Sequence, residues 1–225
     1  MTAMGHNGGA LKKLPDKGIP VEERLIFALD VPTVKEAKGL VEELGDTVSF
    51  YKLGLELFMA GGYYELIEWL RKRGKKVFAD LKFFDVPETV RRAVRQLKGR
   101  GISFVTVHGD DNILRAAASE KNDLKILAVT VLTSLNENDI ADLGFRGRMR
   151  KVDVTSLVLS RAKRALEVGC DGVISSGWEA PRLREGLGDG FIVVVPGIRP
   201  VKNVDDQKRT VDVEEAFLIG LPTTM

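Results

Sequence analysis

Lys76-Val77-Phe78-Ala79 is an apolar run that begins just after Gly74 and ends in charge, as Asp80-Leu81-Lys82-Phe83-Phe84-Asp85-Val86-Pro87-Glu88-Thr89. The run has the length and composition of a buried strand. Side chains alternate along a strand, so Asp80 and Lys82 are expected on one side, a carboxylate beside an ammonium at the strand's carboxyl end. Asp85 follows in the turn, and Pro87 suits the first turn of a helix. Taken alone, these residues read equally well as a salt bridge closing a strand-to-helix connection, since ion pairs serve structure as well as function.

Working outward, the same unit recurs. Arg24 to Asp30 reads as a first strand, followed by a helix capped by Thr33 and stopped at Gly45. Val48 to Gly54 is a second strand, with a helix from about Leu57 to Arg73 whose basic last turn suits the helix dipole. The helix from Pro87 to Arg100 leads to a fourth strand, Ser103 to His108, and a helix near Asn112 to Ser119 leads to a fifth, Leu124 to Leu132. A short helix from Asn136 to Leu143 precedes a basic loop, Gly144 to Lys151, which reads as solvated surface. Asp153 caps a long helix to Val168. Gly172 to Ser176 and Phe191 to Val195 are the sixth and seventh strands, with a helix from Trp178 to Glu185 between them, and Asp212 caps a last helix through Ala216.

Strands that alternate with helices argue for a parallel sheet, because each parallel pair needs a crossover. A closed (β/α)₈ barrel and an open doubly wound sheet both satisfy that rhythm. Asp30, Lys52, Asp80, Lys82, His108, Thr133, Ser175 and Pro196-Gly197 all fall at or just past strand carboxyl ends. A barrel gathers such residues at one mouth, whereas an open sheet spreads them along an edge. The expected fold is therefore a (β/α)₈ TIM barrel over residues 21–225, after a flexible tail over 1–20, and lacking a complete eighth strand and a final helix.

Composition narrows the class. The chain has 225 residues, is 44% hydrophobic and 29% charged, and sets 34 basic against 32 acidic side chains for a net charge of +2. That balance gives no electrostatic reason to expect nucleic acid or a membrane as partner. No run of about 18 apolar residues is present, so no spanning helix is expected. The single cysteine, Cys170, reads as a packing residue and suits a reducing compartment such as the cytoplasm. Two histidines, His6 and His108, and no paired cysteines leave no basis for a metal cluster. His108 reads as a hydrogen-bonded structural residue, and Trp69 and Trp178 as core or interface.

The mouth thus combines two lysines with carboxylates and Thr133. A lysine ammonium held between carboxylates is a poor Schiff-base former, because that chemistry needs the neutral amine. It is suited to hand a proton to a developing carbanion. Carboxylates placed against an anionic substrate group would also raise its ground state relative to a transition state that has lost the charge.

The pattern Asp80-x-Lys82-x-x-Asp85-Val86-Pro87-x-Thr89 resembles the signature of the orotidine 5'-phosphate decarboxylase family. Ala28-Leu29-Asp30, Lys52-Leu53-Gly54, Val107-His108, Val131-Leu132-Thr133-Ser134, Pro196-Gly197-Ile198-Arg199-Pro200 and Asp206-Gln207-Lys208-Arg209 follow in the family's order, so that the resemblance spans about residues 24 to 217. It implies a homodimeric barrel, without cofactor or metal, that converts orotidine 5'-monophosphate to UMP and CO₂. By that similarity Lys82 is the proton donor to C6 and Asp80 faces the substrate carboxylate. Asp30 and Lys52 hold ribose hydroxyls, and Lys52 also joins a Lys-Asp-Lys-Asp chain. Asp85 and Thr89 complete the neighbouring subunit's site, and Thr133 lies by the pyrimidine. Gln207 bridges base and phosphate, Arg199 binds ligand, and the loop from Gly197 to Arg209 closes over it.

One departure is expected to matter. The family ends in a strand and a Gly-Arg pair that grips the phosphate, whereas Ile219-Gly220-Leu221-Pro222 places Leu221 where that arginine belongs. Remote phosphate contacts supply binding energy used at the reacting centre. Two other readings therefore stay open: a catalytically impaired nucleotide-binding homologue with a truncated or frameshifted end, and a Mg-dependent sugar-phosphate lyase of the same superfamily.

Overall fold

The computed structural model describes residues 19–142, 153–198 and 223–224. The first 18 residues of the expected tail, the basic loop, Arg199, Gln207, the helix expected after Asp212, and Leu221 lie outside the described residues. Strands and helices alternate from the start: β1 (Leu25–Ala28), α1 (Val34–Leu44), β2 (Phe50–Leu53), α2 (Leu55–Met59), α3 (Tyr63–Lys72), β3 (Lys76–Phe83), α4 (Pro87–Arg95), β4 (Phe104–His108) and α5 (Asp111–Ala118). Then come β5 (Lys125–Val129), α6 (Glu137–Asp142), α7 (Val154–Glu167), β6 (Gly172–Ile174), α8 (Ala180–Leu187), β7 (Ile192–Val194) and β8 (Thr223–Thr224).

The helix starts follow from local chemistry. The Thr33 hydroxyl accepts from the Glu36 amide, and the Asp110 carboxylate accepts from the amides of Asn112 and Ile113. Asp153 accepts from Ser156 at the head of α7. Each satisfies a backbone donor that the first helical turn leaves free. Pro87 occupies the first turn of α4. The helix expected from Leu57 to Arg73 is two helices, because Gly61 and Gly62 adopt φ of 81° and 70° and turn the chain between α2 and α3. Positive φ costs glycine little and any other residue more.

Every neighbouring strand pair is parallel, in the order β7-β6-β5-β4-β3-β2-β1-β8. The two-residue β8 pairs Leu25 with Thr223 and Ile26 with Thr224. Among the described residues β7 and β8 are the two ends of that order, and the alternation is that of a (β/α) barrel. No helix among the described residues is long and apolar enough to cross a membrane.

The side-chain period of two divides each strand between two cores. Tyr51, Leu53, Val77, Ala79, Val105 and Val107 face the helices, in the large outer core. Ile26, Phe50, Phe78, Leu127, Val129, Ile174 and Val194 form a separate inner cluster, joined by Phe104 and Ile192. Phe104 packs against both Phe50 and Phe78, with ring centroids 5.0 and 6.0 Å apart. This inner cluster is the floor on which the mouth of the barrel rests.

Candidate active site

Stepping two residues at a time from the floor toward the carboxyl ends identifies the mouth. Ile26 leads to Ala28 and Asp30, Phe50 to Lys52, Phe78 to Asp80, and Phe104 to Thr106. The polar groups share an interior because their apolar predecessors do. They surround a cavity of about 200 Å³ whose lining includes Asp30, Lys52, Asp80, Lys82, Thr133 and Gly197. A larger cavity of about 1040 Å³ opens at the opposite end, beside the first residues of β2, β3, β4, β5 and β7. In barrels of this kind chemistry is built at the carboxyl ends and the amino ends serve stability, so the smaller cavity is the candidate site.

Its charges form one chain. Lys52 Nζ donates to Asp30 Oδ1 at 2.9 Å and lies 3.7 Å from Asp80 Oδ2. Lys82 Nζ donates to the same Asp80 oxygen at 2.8 Å. Asp80 and Lys52 are largely covered, with side chains 13% and 14% exposed, whereas the Asp30 carboxylate is 63% exposed. Charges held in that low-dielectric interior interact more strongly than the same groups in water. Asp30, at the wet rim, can exchange its contact to water for a polar ligand at little cost.

The geometry around Lys82 departs from a regular strand. Ala79 pairs with Val105 and Phe83 with Val107, so four steps along β3 are matched by two along β4. Lys82 has φ of 46°, the left-handed region, which disfavours a residue with a Cβ by about 1–2 kcal/mol. Simple alternation therefore does not account for the Asp80–Lys82 contact; a bulge does. Bulges commonly re-aim side chains next to active sites. The hydroxyl of Thr106 meets both residues: it accepts from the Lys82 amide and donates to Asp80 Oδ1, each at 2.9 Å. Thr106 is fully buried, and the sequence pattern did not single it out. Its signal was available in its register, two residues on from Phe104.

Asp85 and Thr89 are not drawn into this cavity. Both are exposed, and Asp85 Oδ1 accepts from the Val86 amide at 2.6 Å. Their neighbours in sequence Phe84 and Val86 are exposed apolar residues, 69% and 62%, as are Leu55, Phe58 and Met59 of α2. Phe84 stacks edge-on against His108, with ring centroids 5.3 Å apart. Burial pushes the His108 imidazole below its ordinary range, with nearby Arg161 adding to the effect, and its Nδ1 has no hydrogen-bond partner. The hydrogen bond expected of a structural histidine is thus not made at that nitrogen. Among the described residues no group of three His, Cys, Asp or Glu side chains could hold a metal ion.

Fold and mouth together define a (β/α)-barrel whose site is assembled from residues at the carboxyl ends of its first strands. The chain belongs to the orotidine 5'-phosphate decarboxylase / HUMPS family, whose model matches residues 23–220. It is 61% identical over 209 residues to the orotidine 5'-phosphate decarboxylase of Methylococcus capsulatus, covering 92% of this chain and 84% of that one. With the enzyme of the same name from Xanthomonas euvesicatoria it shares 49% identity over 205 residues, 90% of this chain and 82% of the other. The crystal structure of orotidine 5'-phosphate decarboxylase from Lactobacillus acidophilus superposes with a TM-score of 0.75 at 33% identity, covering 89% and 88% of the two chains.

Proposed function

We propose that this protein decarboxylates orotidine 5'-monophosphate to UMP and CO₂, in pyrimidine biosynthesis. The observation that carries the reading is the Lys82 ammonium held 2.8 Å from the Asp80 carboxylate in a mouth-end cavity, within a chain of this family. The bond from C6 to the carboxylate carbon breaks, CO₂ departs, and the electron pair stays on C6. Lys82 delivers its proton there. The hydrogen bond from Lys82 to Asp80 leaves the other protons of the ammonium free for that transfer. Asp80 stands against the substrate carboxylate, and the repulsion is relieved as CO₂ leaves.

Asp30 and Lys52 hold the ribose hydroxyls, for which an exposed carboxylate paired to a largely covered lysine is a fitting acceptor and donor pair. Thr133 lies by the pyrimidine, and Gly197 lines the cavity beside it. The resemblance further assigns Arg199 and Gln207 to ligand binding. No cofactor or metal enters this scheme.

The working form is a homodimer. The exposed apolar side chains of Leu55, Phe58, Met59, Phe84 and Val86 support it, since large apolar groups left open to water favour burial in an interface. Asp85 and Thr89, exposed close by in sequence, are then carried toward the partner's cavity. We place the enzyme in a reducing compartment such as the cytoplasm, in keeping with a single buried cysteine whose thiol burial pushes up to about 12.

The test is the loss of orotidine 5'-monophosphate absorbance with purified protein, with and without EDTA. Turnover indifferent to EDTA is the expected result. Absence of turnover would sink the reading in favour of an impaired homologue, and turnover abolished by EDTA would favour a Mg-dependent lyase.

A further inference from the structure

The bulge at Lys82 needs something to hold it. Lys82 sits in a left-handed backbone conformation, and such strained residues persist only where the surroundings over-determine them. The regular ladder is interrupted between Ala79 and Phe83, so the Lys82 amide cannot be satisfied by the strand pattern. It donates instead to the Thr106 hydroxyl, and that same hydroxyl donates to Asp80 Oδ1.

We propose that Thr106 is a positioning residue for the decarboxylation: its hydroxyl locks the β3 bulge that aims the Lys82 ammonium and fixes the rotation of the Asp80 carboxylate. The two acceptor oxygens of Asp80 are thereby given separate tasks. Oδ1 is occupied by Thr106, and Oδ2 is left to face Lys82 at 2.8 Å and Lys52 at 3.7 Å. Without the hydroxyl the carboxylate can turn, and each lysine then meets a different oxygen at a different distance. The backbone at Lys82 also loses its acceptor and is free to relax toward regular strand, which swings the ammonium. Misplacing a reacting group by about 1 Å can cost on the order of 100-fold in rate.

Threonine at this place is not explained by packing. Thr106 stands on β4 between Val105 and Val107, with its side chain on the inner face above Phe104, in a fully buried position. A valine has nearly the same shape and would fill the space. What valine lacks is one donor and one acceptor.

The test compares Thr106→Val with Thr106→Ser, which keeps the hydroxyl. Its kinetic arm rests on the decarboxylase reading. Thr106→Val should lower kcat by about 10- to 100-fold, with KM for orotidine 5'-monophosphate changed less than about threefold, and Thr106→Ser should recover most of the loss. A Thr106→Val enzyme with unchanged kcat, or a Thr106→Ser enzyme no better than Thr106→Val, would overturn the proposal. The second arm is independent of activity: amide hydrogen exchange at Lys82 should be slow in the parent and in Thr106→Ser, and at least tenfold faster in Thr106→Val. Exchange unchanged in Thr106→Val would also overturn it, whether or not the parent protein turns over. A parent without turnover but with the expected exchange pattern would sink the decarboxylase reading alone and leave the role of Thr106 at the bulge standing.

Discussion

On the proposed homodimer, with Phe84 covered at the interface, Phe84→Ala should loosen the assembly by several orders of magnitude. Phe84 is 69% exposed in the single chain. A phenylalanine side chain buries about 200 Å² when fully covered. At about 25 cal/mol per Å², covering its exposed share removes roughly 3 kcal/mol of unfavourable hydration per protomer. An isologous interface counts each residue twice. Truncation to alanine forfeits most of this, about 4–6 kcal/mol per dimer, because the alanine methyl retains only a small part of the ring's area. Each 1.4 kcal/mol is a factor of ten, so the dissociation constant should rise by about 10³- to 10⁴-fold. Partial coverage at the rim would reduce that figure, since area converts imperfectly into affinity. Sedimentation across a dilution series measures it directly. Specific activity should fall with dilution at concentrations where the parent stays constant, because in the proposed dimer Asp85 and Thr89 serve the partner's site. A dissociation constant within threefold of the parent would place Phe84 outside the interface, and a monomer of full activity would rule out a site shared between subunits.

Other expectations test the scaffold. Phe78→Ala opens a void in the inner core beneath Asp80, where Phe78 is 1% exposed, and should cost about 3–5 kcal/mol in denaturant unfolding; a loss below 1 kcal/mol would mean the floor is not packed as described. Glu120 receives Arg91, Arg95 and Lys98 at 3.0, 2.6 and 2.7 Å, tying α4 to the end of α5. Hydrogen bonds from Arg95 and then Lys98 hold its carboxyl well below the ordinary value of 4.5. A depressed folded value stabilises fully above the unfolded one and is lost as pH falls through the folded value. The Tm of Glu120→Gln should therefore lie below that of the parent at pH 7, with the gap closing below pH 4.5; a gap independent of pH would contradict the ion cluster.

Much of this was written in the sequence. The alternation of apolar strands with capped helices gave the barrel, and the helix starts at Thr33, Pro87 and Asp153 lie where side-chain chemistry demands them. The convergence of Asp30, Lys52, Asp80 and Thr133 on one cavity follows from strand parity and could be counted out residue by residue, and Lys82 and Gly197 join them there. Two features could not. Gly61-Gly62 breaks what the apolar spacing suggested was one helix, a case where local backbone freedom outweighs periodicity. The bulge at Lys82 is set by a hydrogen bond to a different strand, from a threonine that in sequence looks like any β-branched strand residue. Side-chain alternation led to the expectation that Asp80 and Lys82 meet, but the contact is made through the bulge, a backbone path that no local pattern announces.

The most direct measurement is the decarboxylation rate of the parent protein and of Lys82→Ala, with orotidine 5'-monophosphate as substrate and circular dichroism to verify that both are folded. General acid catalysis contributes typically about 10²- to 10⁴-fold, so the parent should turn over and Lys82→Ala should lose at least that much. A folded Lys82→Ala protein that decarboxylates within tenfold of the parent would contradict the assignment of Lys82 as the proton donor.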